Sequence, residues 1–568
     1  MYCFMKKIFI FTLAGLSLLL GSCKKDWLTL KPKGQANFET LLNKDGVNLL
    51  LIGAYADVDG ANNKSAQPQG WPSGVSNWVW GSVAGGDAYK GSNSGDQALI
   101  NDIAGFYLTA DNTYVNSHWM LEYDGVVRCN DVLKAVALAT GMTEVEKLQA
   151  QAQARFLRAH YYVELTNVHG KVPYIDENTV NPTIVPNDHL VWPEIEADLK
   201  FAIANLPSRW TDKGRANQWA AKTYLARAYL AQQKYALAMP LLQDVYTNGG
   251  FTLVPDFIQN FLIATVNNAE SIFEVQYAVN DGFGADNANI ADALNSPTFK
   301  SSSNFFQPSH ALVSAFRVNN NGLPVNPDAT QYTADEILPF DPTGQTVPYK
   351  NFVDPRLDWT VARPGVPDFD WGIPTIAWIR DPNNGGPYMS KKSTYLKAEK
   401  NIYSSTTVRP GANANNFRKF KLSHVILWLA ECEIEVGSLR NATTLVNQIR
   451  NRAKGSNVVK FDNGTPAANY KVEPYTADFA TKEEARLAVR HEERLEFALE
   501  GVRFFDLVRW GIAAPVLNRY LSVDGKIMPS LLNKTFVAGQ HEVRPIPQAQ
   551  IDLSKKDGQP VLVQNPGY

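Results

Sequence analysis

Residues 217–246 read NQWAAKTYLARAYLAQQKYALAMPLLQDVY, and this segment decides the fold class. Leu225, Ala226 and Tyr229, followed by Ala238, Leu242 and Val245, fall at the small and large positions of a tetratricopeptide helical hairpin. The small residues let two antiparallel helices approach, and the large ones fill the groove between them. The same offsets return at Leu429, Ala430, Ala442, Val446 and Ile449. Two matches at identical offsets predict a helical-repeat scaffold rather than one incidental hairpin.

Working outward from these hairpins, further helical patterns appear. Leu41, Leu42, Leu49, Leu50 and Ile52 give one near 39–55, and another resumes near Tyr114 through Trp119, Tyr123, Val127 and Val132. Between Val145 and Val168, the residues Gln149, Ala152, Phe156, Ala159 and Val163 recur at intervals of three and four, which makes a strong helix. Helices return over 420–453 and 481–499. Two stretches break the pattern. From Asp57 to Tyr107 the chain is rich in Gly, Ser, Asn and Asp, interrupted by Trp71, Trp78, Trp80 and Tyr89. From Ser271 to Arg418 only Ser271–Tyr277 alternates like a strand, and Gly, Pro, Asn and Asp dominate the rest. Irregular regions this long are usually functional. The expectation is a mainly α fold with little β. Its tetratricopeptide-like helical-hairpin scaffold spans about 114–270 and 420–512, and it carries loop-rich candidate ligand regions at about 57–110 and 271–418.

The first residues read as an address. Lys6 and Lys7 precede an apolar run from Ile8 to Leu20, too short to span a bilayer comfortably. Leu20-Gly21-Ser22-Cys23 has the form of a lipobox. Residues 1–22 are therefore expected to be a lipoprotein signal peptide, with Cys23 the lipid attachment point of the mature chain 23–568. More than one acyl chain, at about 0.8 kcal/mol per buried methylene, gives stable anchoring. No other stretch reaches about 18 apolar residues, so the mature chain is expected to be anchored and not to span.

Composition excludes other classes. A formal net charge of −2 leaves no basic footprint for nucleic acid. Four cysteines are too few for a disulfide scaffold across 568 residues, and Cys129 and Cys432 sit in helical patterns as expected buried thiols. No His-Glu-x-x-His motif occurs, because His491-Glu492-Glu493-Arg494-Leu495 fails at its last position. In Gly91-Ser92-Asn93-Ser94-Gly95, Asn93 stands where a nucleophile elbow needs serine. Paired carboxylates are the chemistry of glycosidases. Here Glu492, Glu493, Glu496 and Glu500 interleave with Arg490, Arg494, Arg503 and Arg509, which reads as an ion-pair network. Asp368-Phe369-Asp370-Trp371 could offer carboxylates to calcium but lacks a complete ligand loop. The chain is expected to have no catalytic residues, no metal ligands and no cofactor.

Five spaced motifs then carry a resemblance. They are Cys23-Lys24-Lys25-Asp26-Trp27-Leu28 with Lys31-Pro32; Arg155-Phe156-Leu157-Arg158-Ala159-His160-Tyr161-Tyr162 with Gly170-Lys171-Val172-Pro173; and the run from Arg490 to Gly501 leading into Arg503-Phe504-Phe505-Asp506-Leu507-Val508-Arg509-Trp510-Gly511. Pro545-Ile546-Pro547 and Gln564-Asn565-Pro566-Gly567-Tyr568 complete the series. The chain resembles the SusD/RagB family throughout its mature length. The resemblance implies helical hairpins of tetratricopeptide type under a loop-rich region, an outer-membrane, cell-surface setting, and partnership with a SusC-like TonB-dependent transporter. Family members mostly bind glycans, some take peptides or other nutrients, and no catalytic residues come with the family. The expected function is capture of an oligo- or polysaccharide for delivery to that transporter. Capture of a non-glycan nutrient, an adaptor role without a ligand and, least favoured, a surface glycosidase are the alternatives.

A sugar presents apolar C–H faces and a rim of hydroxyls, so its site needs exposed aromatics beside polar groups. The candidates are Trp78, Trp80, Asp87 and Tyr89 in the first loop region and Trp371, Trp378, Arg380 and Tyr395 in the second, with Asp57 at the end of the first helix. Trp78 and Trp80, two apart, would share one face of an extended segment. Trp119, Trp192, Trp219, Trp428 and Trp510 lie on helical or motif segments and are expected in the core.

Overall fold

The computed structural model describes residues 38–60, 71–282, 287–292, 295, 303–392, 394–405 and 411–568. The signal segment 1–22 and the lipid-bearing Cys23 lie outside the described residues. No described helix is long and apolar enough to cross a membrane.

The helical scaffold opens with α1 (Lys44–Ala56), capped by the Asn43 side chain, which accepts from Gly46 N. It continues through α2 (Thr113–Leu138) and α3 (Glu144–His169). Thr143 and Glu146 form a reciprocal capping box at the start of α3, satisfying two otherwise orphan donors. Next come α4 (Trp192–Asn205), α5 (Gln218–Ala231) and α6 (Tyr235–Asn248), then α7 (Leu422–Val436) and α8 (Leu439–Gly455). Each helix from α2 to α5 packs on its successor, α6 packs on α7, and α7 on α8, so the array is continuous although residues 249–421 intervene between α6 and α7. Both hairpins predicted from the repeat offsets form. Leu225, Ala226, Tyr229, Ala238, Leu242 and Val245, and their counterparts Leu429, Ala430, Ala442, Val446 and Ile449, are all buried in one apolar core.

The second layer is built on a separate core. Its strands are short antiparallel pairs: β1 (Ala88–Gly91) with β3 (Phe305–Pro308), and β4 (Val361–Ala362) with β5 (Met389–Ser390). The pair β2 (Ser271–Val275) and β6 (Phe417–Lys421) leads out of the array and back into it. The helices α9 (Lys482–Glu496), α10 (Arg503–Arg509) and α11 (Ala513–Asp524) complete the frame. Val489 of α9 belongs to the first core and Leu495 to the second, so α9 straddles the two.

The interleaved charges on and after α9 tie the layers together. Arg356, fully buried in the loop layer, reaches Asp354 at 2.8 Å, Glu492 at 2.7 Å and Glu496 at 3.1 Å. From α8, Arg450 meets Glu492 at 2.8 Å and Arg452 meets Glu496. Glu500 takes Lys392 from the loop layer at 2.8 Å and Lys421 from β6 at 2.6 Å. Burial opposes ionisation of Glu496, yet Arg452 and Arg356 hold its carboxyl well below the usual carboxylate range. Directly after Glu500, Gly501 (φ 74°) lies so close to the loop layer that a Cβ there would sit 1.9 Å from the Ser76 carbonyl oxygen. A Cβ on Gly81, facing it, would sit 1.8 Å from the Gly501 oxygen. Only glycine allows this approach of two backbones.

The remaining sequence motifs also have visible work. Arg158 of α3 is buried and donates to Asp198 on α4, Asn130 on α2 and Glu177, which joins three elements. The Asn565 amide donates to the carbonyls of His169 and Arg544, sewing the terminal motif onto the end of α3. Trp119, Trp192, Trp428 and Trp510 are core, as expected, whereas Trp219 is half-buried with Lys222 over its ring at 4.5 Å. Cys129 and Cys432 are buried free thiols.

Two expectations follow. Phe156 is fully buried edge-on to Tyr224 and Phe273, so Phe156→Ala should lower stability by about 3–5 kcal/mol in urea denaturation. Acid should also unfold the protein early. Burial lowers His118 to about 4, His160 to about 3 and His424 to about 3, and depresses every other histidine except exposed His189. An unfolded imidazole titrates near about 6.5, so below that pH the unfolded chain binds more protons and stability falls towards pH ~4. The raised carboxyls of Asp57, Asp102, Glu122, Asp131, Asp198, Glu493 and Asp524 act with the opposite sign and offset part of this loss. Depressed Glu496 and Glu500 add to the loss below about pH 4.3. The urea midpoint should drop between pH 7 and pH 5; a flat profile would contradict this account.

Candidate ligand-binding surface

The two loop-rich regions predicted as ligand-bearing do come together. The Arg380 guanidinium, from the second, donates to Ser92 Oγ at 2.8 Å and Asp96 at 2.7 Å in the first. The Asn384 amide donates to the Gly91 carbonyl, and β1 pairs with β3. What faces outward, however, differs from the residue set read off the sequence.

Trp78 and Trp80 do not lie on an extended segment. Residues Trp78–Val83 form a single π-helical turn, in which the Ala84 amide bonds back to Val79. Trp78 is 0 % exposed: its Nε1 donates to the Ala291 carbonyl at 3.3 Å and its ring packs on Phe305 and Phe306. Trp80 is equally buried, donating to the Pro72 carbonyl and resting edge-on against His118. Both rings fill the second core, because a loop layer this large needs apolar volume of its own.

Asp87 is buried and accepts from Arg494 Nε at 2.9 Å. Tyr89 is buried, donating its hydroxyl to Asp524 at 2.6 Å while accepting from His310 N. Burial, with the Asp524 charge beside it, pushes the Tyr89 phenol up. Asp57 is buried against Arg128 at 2.9 Å, and burial outweighs that partner, pushing its carboxyl up to about 8. These three polar side chains hold elements together rather than facing solvent.

The second set fares differently. Tyr395 is buried, but Trp371 and Trp378 are half-buried and Arg380 is exposed. Trp371 donates Nε1 to the Tyr395 carbonyl at 3.1 Å, with the two rings edge-on at 6.0 Å. Trp378 packs on the small cluster of Ala362, Ile379 and Met389. The tight turn at Asp368–Gly372 sets the local geometry: Trp371 N bonds the Asp368 carbonyl, Asp368 N bonds that of Gly372, and Phe369 takes a left-handed φ of 49°. Asp370 accepts from the backbone amides of Lys397 and Ala398, at 2.7 and 2.8 Å, so this carboxylate clamps a neighbouring turn. Among the described residues no group of three or more potential metal-ligating acids, histidines or cysteines occurs.

The second loop region also carries residues that sequence reasoning missed. Phe369 lies at 6.3 Å from Trp359, with the Lys391 ammonium 4.9 Å from its ring. Ile373, Ile402 and Tyr403 are exposed. Isolated exposed aliphatics carry no sequence signal, but the Asp-Phe-Asp-Trp turn does, since two acids bracket a ring that a core would not need there. By contrast Glu492, Glu493, Glu496 and Glu500 are all buried among arginines and lysines.

Trp78→Ala should therefore act on the fold, lowering stability by about 3–5 kcal/mol in urea denaturation. A variant of unchanged stability would return Trp78 to the surface.

Known proteins share this architecture. The family described as "SusD family" matches residues 269–568, and "Starch-binding associating with outer membrane" matches 26–230. A SusD-like protein of Formosa agariphila is 23% identical over 490 residues, covering 80% of each chain. A SusD superfamily structure from Bacteroides vulgatus superposes with a TM-score of 0.70 at 20% identity, covering 92% of this chain and 99% of that one. Surface glycan-binding protein A from Bacteroides thetaiotaomicron, solved in complex with laminarihexaose, gives 0.63 at 20% identity, covering 92% and 99%. With more than half its length matched by the family pattern and a common fold along nearly all of it, this chain belongs to the SusD family.

Proposed function

We propose that the protein is a lipid-anchored, cell-surface binder of an oligo- or polysaccharide, which it passes uncleaved to a SusC-like TonB-dependent outer-membrane transporter. The observation that carries the reading is the set of half-buried aromatics in the second loop region, Phe369, Trp371 and Trp378, with exposed Arg380 in the same stretch, on a SusD fold. Such rings can stack on the C–H face of a sugar while neighbouring polar groups take its hydroxyls. The starch-binding description of the family matched by residues 26–230, and the laminarihexaose held by a structural neighbour, support a glycan as ligand. The lipobox at Cys23 supports the anchor, and the ion pairing of the α9 glutamates supports binding without hydrolysis.

The test is a binding screen of residues 24–568 against a polysaccharide panel including starch and laminarin, by affinity electrophoresis and calorimetry, with reducing ends assayed in parallel. Retention on a polysaccharide without product is expected, and so is co-purification of the anchored protein with a TonB-dependent barrel. A blank panel from folded protein, or released reducing ends, would overturn the glycan-binder reading. Trp371→Ala should weaken binding several-fold to about tenfold, since a stacked ring contributes about 0.5–1.5 kcal/mol beyond its area. Its unfolding midpoint should stay near that of the parent, which separates it from Trp78→Ala.

A further inference from the structure

The most prominent set of unpartnered donors lies away from the aromatic face. The segment 326–336, α9, α10 and α11 close around a cleft of about 40 Å³ lined by Arg490, His491, Arg494 and Arg503. Other arginines of the same motif are fully matched: Arg509 binds Glu431, Glu493 and Asp506, and Arg494 binds Asp87. Arg503 is not. It is 7 % exposed, has no carboxylate within 4 Å among the described residues, and its Nε is sealed from solvent without a hydrogen-bond partner. His491, 5 % exposed, likewise has Nε2 buried and unpartnered. Arg490, half-buried, lies over the Trp510 ring at 5.1 Å and also has no carboxylate within 4 Å.

A buried guanidinium with no carboxylate in direct contact is costly, even with Asp87, Asp506 and Glu493 acting on Arg503 from farther off. The two acids lining the cleft are engaged locally. Asp328 accepts from Thr330 N and Oγ1, and Glu336 from Asn326 Nδ2 and Thr333 N. Arginine forks match planar and tetrahedral oxyanions through parallel N–H donors. We infer that this cleft is a binding site for one compact oxyanion, held by Arg503 and Arg490 with His491 as a neutral N–H donor. The space suits it: a water needs about 10–15 Å³ by this measure, so the cleft holds about three waters or a single oxyanion. The ligand chemistry is a sulfate, phosphate or carboxylate group, carried by a free inorganic ion or as the acid group of a sugar. The site is independent of the glycan face.

The experiment is calorimetric titration of residues 24–568 with sodium sulfate and, separately, sodium glucuronate, against sodium chloride of matched ionic strength. Parallel titrations use Arg490→Gln, which breaks no ion pair, and Arg503→Lys. Saturable binding of at least one anion is expected, weakened about tenfold or more in Arg490→Gln, as loss of a charge-assisted hydrogen bond predicts. Sulfate also stabilises proteins non-specifically, and that effect would survive in the variant. Saturation by sulfate alone identifies a free inorganic oxyanion, and saturation by glucuronate identifies the acid group of a sugar. No saturable binding of either, or equal affinity in folded Arg490→Gln, would overturn the site.

Discussion

The structure depends on the buried charges that join its two layers. Arg356 stands in the loop layer with no solvent contact, and its guanidinium is shared among Asp354, Glu492 and Glu496. Arg450 and Arg452 reach the same glutamates from α8, while Lys392 and Lys421 converge on Glu500. Each ion costs several kcal/mol to desolvate, and the pairing offsets this only when geometry is kept. A network of that kind adds little net stability over an apolar contact. It penalises any other docking of the loop layer, because a shifted layer would strand buried charges. In this protein it sets register, a role that an apolar interface alone would leave loose.

That constraint explains the arrangement around it. Gly501 follows Glu500 directly, and its absent side chain lets the backbone at Ser76 and Gly81 sit against it. The π-helical turn at Trp78–Val83 is pressed onto the turn after α9, and its two indoles are driven inward. The loop layer thus has a rigid base, with a second core on one side and an outward rim on the other. Phe369 and Trp371 belong to that rim, held by a tight turn and by the Asp370 clamp on the 397–398 amides, and Trp378 rests on Ala362, Ile379 and Met389.

Much was legible in the sequence, for identifiable reasons. Helical periodicity is local, so the hairpins at 218–248 and 422–455 and the long helix through Phe156 could be read directly. The charge pattern from Arg490 to Arg509 could be read as ion pairing, because i, i+3 and i, i+4 neighbours are fixed by the helix itself. That both stretches are irregular was also readable, and in the structure Arg380 on Asp96 joins them. Which side chains face outward was not. Trp78, Trp80, Asp87 and Tyr89 sit among glycines and serines that look like exposed loop, yet all are buried, Trp78, Asp87 and Tyr89 against chain more than 200 residues away and Trp80 against Pro72 and His118.

The sequence by itself determined the family, the mainly α class and the position of the helical repeats, since these rest on short-range spacing and on motifs whose members are neighbours in the chain. Only the tertiary structure decided that the first loop region forms a core and that Trp371 and Trp378 stay half-buried. It alone also revealed that Arg503 and Arg490 have, among the described residues, no carboxylate within 4 Å, unlike Arg494 and Arg509. The physical reason is that burial is a property of contacts between distant segments. An indole or a guanidinium carries the same local signal whether a second layer covers it or water does.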